Sequence, residues 1–122
     1  MKMILTRKFT FDSAQALTTF PEGHKCRQMH GHTFILHVSV KGEVNRETGI
    51  VFDHAEIADK VKPLVNYLDH KCLNDLPGLE VPSLENMLAW FWDKLIADLP
   101  GLYELQLFET PTSWCTYRGE AG

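Results

Sequence analysis

The 122-residue sequence has no excess of positive charge: 12 Lys and Arg stand against 16 Asp and Glu, for a formal net charge of −4. Without a basic stripe the electrostatic footprint of a nucleic-acid binder is missing. No apolar run approaches the roughly 20 residues of a membrane span. The N-terminal stretch MKMILTRKFTF is broken by Thr6, Arg7 and Lys8, and no small-residue cleavage site follows, so no secretory leader is expected. Cysteine is scarce: Cys26, Cys72 and Cys115 cannot all pair with one another and form no C-x-x-C, which points to a reduced, cytoplasmic setting. Internal repeats, low-complexity tracts and linkers are also lacking. With 44% hydrophobic and 23% charged residues the composition is that of an ordinary globular protein. Residues 1–122 are therefore expected to form a single domain with a core that needs no disulfide framework.

What the sequence does have is histidine. There are six, three of them between residues 24 and 32. Clustered histidines in a small protein suggest a metal site or acid–base chemistry. A chain this short is also expected to borrow part of an active-site wall from a neighbouring copy.

Residues 2–12 alternate, with Met3, Leu5, Phe9 and Phe11 on one face, which predicts a half-buried strand. Residues 13–29 contain Pro21 and Gly23 and read as a long loop. A second strand is expected from Met29 to Val44, followed by a turn at 45–49 and a short returning strand at 50–52. Asp53 is placed to cap a helix, with Glu56 in capping-box position. That helix carries Ile57, Ala58, Val61, Val65 and Leu68 at helical spacing, and Pro63 is expected to kink or split it. Ser83 caps a second helix whose stripe of Leu84, Met87, Leu88, Phe91, Leu95 and Leu99 reads as core. A terminal hairpin at 102–109 and 114–118 completes the order β-β-α-α-β-β. This is an α+β arrangement, two helices on one face of an antiparallel sheet, whose free edges pairing between subunits would cover.

His30-Gly31-His32 is the sharpest local signal. On a strand, residues two apart share a face, so both imidazoles can reach one ion, for which Zn2+ is the natural candidate. H-x-H alone is a weak motif, and two histidines at a polar strand end would look the same. Cys26, flanked by Lys25 and Arg27, is a candidate nucleophile or general base, or an ordinary exposed thiol. Cys72 and Cys115 read as inert small core residues. Asp69-His70 would pair only on an irregular backbone; the alternative is a helix C-terminus with His70 against the dipole. Glu109 shares a face with Tyr103, Leu105 and Leu107. A charge there needs a partner, such as the N–H edge of a guanidine-like ring, unless the strand end emerges into solvent.

Several segments together resemble the 6-pyruvoyl-tetrahydropterin synthase family, in particular its bacterial branch that forms a 6-carboxylated pterin. They are EGHKC-x-x-x-HGH, Asp53 opening a helix, LDH at 68–70, LND-x-PG at 73–78, PS-x-E at 82–85 and ET-x-T…C-x-YRGE at 109–120. They span nearly the whole sequence, and the three-residue gap between Cys26 and His30 matches that branch. The resemblance implies the tunnelling fold, with trimers closing their sheets into a barrel, two trimers stacking into a hexamer, and pockets at subunit interfaces. It implies a metal-dependent carbon–carbon lyase reaction, 7,8-dihydroneopterin triphosphate to 6-carboxytetrahydropterin, acetaldehyde and triphosphate, towards the modified tRNA base queuosine. The partner is thus a small-molecule pterin triphosphate, not a nucleic acid or a membrane. By position it implies Cys26 as general base, Asp69 and His70 as a proton-shuttling pair from another subunit, Glu109 and Thr110 as pterin anchors, and His30 and His32 as zinc ligands. Lys25, Arg27 and Lys71 are candidates for the triphosphate.

One position departs from the family. Its first-strand motif reads F-D-x-A-H and supplies a third histidine ligand, where this protein has Phe11-Asp12-Ser13-Ala14-Gln15. An amide oxygen is a harder, weaker donor for zinc than imidazole. Three outcomes follow: Gln15 ligates and shifts preference towards another divalent metal, His24 substitutes, or the protein is a pterin- or metal-binding paralogue with reduced catalysis.

Overall fold

The first strand runs past the point where alternation of apolar residues ends. The computed structural model describes residues 1–120, and in it β1 spans Lys2–Gln15. Phe9, Phe11, Ser13 and Gln15 continue one inward-facing row, each under a tenth exposed. The loop expected from residue 13 therefore begins only after Gln15. The inward row turns polar there, and polar residues on a strand imitate a loop.

β2 (His30–Glu43) pairs antiparallel with β1 along its whole length, setting Phe11 opposite Phe34 and Gln15 opposite His30. β3 (Leu102–Thr110) pairs with β2, and β4 (Ser113–Tyr117) pairs with β3. The result is a four-stranded antiparallel sheet in the order β1-β2-β3-β4. Its outer edges are β1 and β4; the end of β1 is met by residues 69–72, through a bridge between Ala14 and Cys72 and hydrogen bonds to Asp12 and Ala14. The expected strand at 50–52 does not form. Asn45 closes its own turn instead, its side chain accepting from the Glu47 and Thr48 N–H groups and its N–H donating to the Ile50 carbonyl.

Helix α1 (His54–Leu68) is capped by Asp53, whose side chain accepts from the Ala55 N–H. It runs through Pro63 without splitting. Pro63 and Asp59 are both exposed, so the carbonyl that proline leaves without a donor faces water. Helix α2 (Leu84–Leu95) is capped by Ser83, which accepts from the Asn86 N–H. The predicted stripes of both helices are buried against the inward sheet row, in one apolar cluster centred on Phe11, Phe34, Leu36, Phe91 and Leu107. No described helix is long and apolar enough to cross a membrane.

Gly101 turns the backbone from α2 into β3 with φ of 82°, and its carbonyl accepts from the Lys41 N–H at 2.9 Å. A Cβ there would come within 2.9 Å of the Lys41 carbonyl oxygen. Gly101→Ala is expected to cost at least about 1–2 kcal/mol from the left-handed backbone alone. A lowered midpoint in thermal unfolding checks this.

Candidate active site

The inward row of the sheet turns from apolar to polar at one end. On β1 it runs Phe9, Phe11, Ser13, Gln15; on β2 it runs from Phe34 back to His32 and His30; on β3 it runs Leu105, Leu107, Glu109. Register makes neighbours of these ends. Gln15 lies opposite His30, Ser13 opposite His32, and Leu36 opposite Leu107. Period-two alternation on three adjacent strands thus delivers an amide, two imidazoles and a carboxylate to one place.

The ligand atoms of His30, His32 and Glu109 all lie within 4.8 Å of one another. His30 Nδ1 is 2.6 Å from the Gln28 carbonyl, which can only accept, so Nδ1 carries a proton and the neutral ring has its lone pair on Nε2. His32 Nε2 lies 2.9 Å from Glu109 Oε1 but without hydrogen-bond alignment, and it has no hydrogen-bond partner. We read this as a close approach, not a bond. Burial pushes the His32 pKa below its usual value; the Glu109 carboxylate pulls it up and His30 lowers it further. Gln15 is 2% exposed. Its Nε2 donates to Glu109 Oε1 at 3.1 Å, and its Oε1 has no partner. Buried acceptors left without donors are what a cation site requires. The residues present therefore fit a divalent ion.

Cys26 reaches the same place from the loop after β1. Lys25, Cys26, His30, His32, Glu109 and Thr110 line one cavity of about 400 Å3. The loop is held by its own polar groups. Leu17 N–H donates to the Cys26 carbonyl at 2.8 Å, and the Arg27 guanidinium donates to the Thr18 and Phe20 carbonyls. His24 Nδ1 accepts from the Cys26 N–H, capping a turn of 3-10 helix at Lys25–Arg27, and its ring stacks on Phe20. His24 caps the loop and lies outside the His30–His32–Glu109 group, and Arg27 ties the loop together through its Nη1.

Asp69 and His70 do pair, and the backbone irregularity that pairing demanded is present. α1 ends with Asp69 as an extended C-cap, and His70 takes φ of 57°. This replaces the alternative of a histidine stacked on a regular helix end. Asp69 Oδ2 is 2.9 Å from His70 Nδ1, and Asp69 Oδ1 accepts from the Asp12 N–H at 2.9 Å. These contacts hold the Asp69 carboxyl below the usual carboxylate range, the Asp12 N–H contributing most and His70 next. A depressed carboxylate contributes stability above its unfolded pKa and loses it as pH falls through the folded one. His70→Ala is therefore expected to raise the Asp69 midpoint only part of the way to that of a free aspartate. Carbon-detected NMR titration of the Asp69 carboxyl checks this.

His70 opens onto a second cavity of about 560 Å3, shared with Asp12, His32, Lys71 and Cys72. Within the chain, then, His70 and Cys26 line different cavities. Cys72 and Cys115 are free and only partly buried, against the expectation of core burial. Burial, and then the Glu85 charge, push the Cys115 thiol up, away from thiolate.

Two supporting features go beyond the sequence reading. Asp12 presents its N–H to Asp69 and its carbonyl to the His70 N–H, while Thr33 donates to its carboxylate. Asn74 pins the start of the loop by accepting from the Ala16 N–H and donating to the Ala16 and Glu80 carbonyls. Asp12 has a signal, being a carboxylate on the strand face opposite Phe11; Asn74 lies in the LND-x-PG segment, but its contacts with Ala16 and Glu80 are not legible there.

The family model described as 6-pyruvoyl tetrahydropterin synthase matches residues 4–120. A Synechocystis protein named 6-carboxy-5,6,7,8-tetrahydropterin synthase is 41% identical over 120 residues, covering 93% of this chain and 92% of its own length. A Dictyostelium discoideum 6-pyruvoyl tetrahydrobiopterin synthase is 37% identical over 131 residues, covering 97% of each. The structure of Caenorhabditis elegans 6-pyruvoyl tetrahydropterin synthase superposes with a TM-score of 0.89 at 25% identity, over 98% of this chain and 97% of that one. Sheet order, helix placement and near full-length sequence similarity agree: this chain belongs to the 6-pyruvoyl tetrahydropterin synthase family.

Proposed function

We propose that this protein is a carbon–carbon lyase converting 7,8-dihydroneopterin triphosphate, with water, into 6-carboxytetrahydropterin, acetaldehyde and triphosphate, on the route to queuosine. The observation that carries the reading is the shared cavity of Cys26, His30, His32, Glu109 and Thr110. It is joined by similarity to the Synechocystis enzyme over almost the whole sequence.

Each group has a task suited to its surroundings. Glu109, a carboxylate at the end of an apolar row, accepts two parallel N–H bonds from the pterin edge, with Thr110 beside it. Cys26 at the cavity wall acts as general base on a C–H bond of the pterin's hydroxylated substituent. A divalent ion held by His30, His32 and Gln15, zinc or a harder metal, would act as Lewis acid on the hydroxyls of that substituent. His70, oriented by Asp69, returns the proton from the opposite wall, and that wall comes from a neighbouring subunit. The support for this is that His70 and Cys26 line different cavities in one subunit, while β4 and most of β1 are sheet edges with no further strand among the described residues. A hexamer of two stacked trimers would close both. Lys25 and Lys71, lining the two cavities, are suited to the triphosphate. Three free cysteines suit a cytoplasmic setting.

Gln15 favours one second reading, a pterin-binding paralogue with weakened catalysis. Acetaldehyde release, followed by NADH oxidation with alcohol dehydrogenase, separates the two. Release dependent on added divalent metal supports the lyase. Pterin binding without release by metal-loaded protein supports the paralogue.

A further inference from the structure

We infer that Gln15 is a positioning residue that couples the cation to the pterin anchor, one end of its amide serving each. The inference rests on the proposed pterin chemistry and deepens it.

The amide has two unlike ends. An ionised carboxylate only accepts, so the end of Gln15 facing Glu109 Oε1 at 3.1 Å must be the NH2 group. The carbonyl end is then compelled to turn the other way. It lies in a residue 2% exposed and has no donor within reach. A buried amide oxygen left without a donor is unfavourable by the full desolvation of the group. Burial keeps bulk water from it, and the adjacent strand carries further acceptors. His30, opposite Gln15 across the strand pair, keeps its Nε2 lone pair, and His32 Nε2 also lacks a partner. A cation beside the two imidazoles would offer the amide oxygen a partner as well.

The same amide holds Glu109. Both imidazoles and the carboxylate lie within 4.8 Å, so Glu109 itself is close enough to compete for the ion. The Gln15 NH2 engages the very oxygen, Oε1, that approaches His32. This restrains that oxygen and leaves Oε2 and the outer lone pairs for a ring edge. Polarisation of the amide by a cation on its oxygen makes its N–H a stronger donor. Cation binding thus orders the carboxylate that binds the ring, and by linkage the ring favours the cation equally.

Plain pterin, which lacks the hydroxylated substituent through which a substrate would itself touch the ion, is the probe. Its affinity is measured by fluorescence with and without saturating Zn2+, and Zn2+ affinity by calorimetry, in the wild type, Gln15→Leu and Glu109→Gln. Circular dichroism and oligomer size confirm that each variant folds. In the wild type, Zn2+ is expected to tighten pterin at least about fivefold. Gln15→Leu is expected to weaken Zn2+ about tenfold or more and, once saturated, to reduce the coupling below about twofold. Glu109→Gln is expected to weaken pterin far more than Zn2+. The inference is overturned if Glu109→Gln weakens Zn2+ more than Gln15→Leu does, since the carboxylate is then the ligand. It is equally overturned if the coupling survives in zinc-saturated Gln15→Leu. Loss of coupling in a wild type that still releases acetaldehyde sinks this inference alone; a wild type that binds neither zinc nor pterin sinks the lyase reading with it.

Discussion

Replacing Cys26 with alanine is expected to lower kcat by ~10²–10⁴-fold, the usual worth of a positioned general base, while leaving pterin affinity within about threefold. The split follows from where the thiol stands. Cys26 shares the cavity with Glu109 and Thr110 but is carried by a different element, the loop closed by the Leu17–Cys26 bond and the Arg27 contacts. Its thiol is absent from the hydrogen bonds that hold this loop, so truncating it leaves the loop intact. Glu109 is fixed from β3 and by Gln15, so the ring edge should still dock. Steady-state kinetics with the triphosphate substrate, alongside equilibrium binding of pterin, measure both halves. Equal losses in affinity and turnover would make Cys26 a binding residue instead.

Phe34→Ala is expected to cost about 3–5 kcal/mol, a large part of the ~5–15 kcal/mol that stabilises a typical domain. Phe34 is fully buried on the central strand β2. Its ring stacks on Phe11 at 5.2 Å and meets His32 edge-on at 5.7 Å. The substitution therefore opens a cavity where the apolar row ends and the polar site begins. Chemical denaturation should show the loss of stability. At temperatures where the variant remains folded, zinc affinity should fall too, because His32 loses the wall that orients its ring. A stability loss under about 1 kcal/mol would mean that the neighbouring helices collapse into the space.

The sequence is most legible where a single physical period governs. The stripes of α1 and α2 come through intact because burial against a sheet demands apolar residues at helical spacing. His30, His32 and Glu109 follow from strand alternation, which is local and strict. Legibility fails where polarity and irregularity carry structure. Ser13 and Gln15 are strand residues in a buried row, yet they read as loop because their side-chain partners, the Leu68 carbonyl on α1 and Glu109 on β3, are distant in sequence. The turn at Asn45 satisfies itself, so residues 50–52 never need the strand their apolar side chains suggest. The left-handed His70 can be named as a requirement of the Asp69 pair, but only the folded backbone of Asp12 shows what enforces it. Arg27 and His24 carry structural contacts that charge and imidazole do not announce, since both hold the loop through hydrogen bonds.

The reaction itself is tested most directly by identifying the pterin formed when metal-loaded protein turns over 7,8-dihydroneopterin triphosphate under anaerobic conditions, by chromatography and mass spectrometry. The predicted product is 6-carboxytetrahydropterin, formed in equal amount with triphosphate. Accumulation of 6-pyruvoyl-tetrahydropterin in its place, with every carbon of the substituent retained, would contradict the assignment.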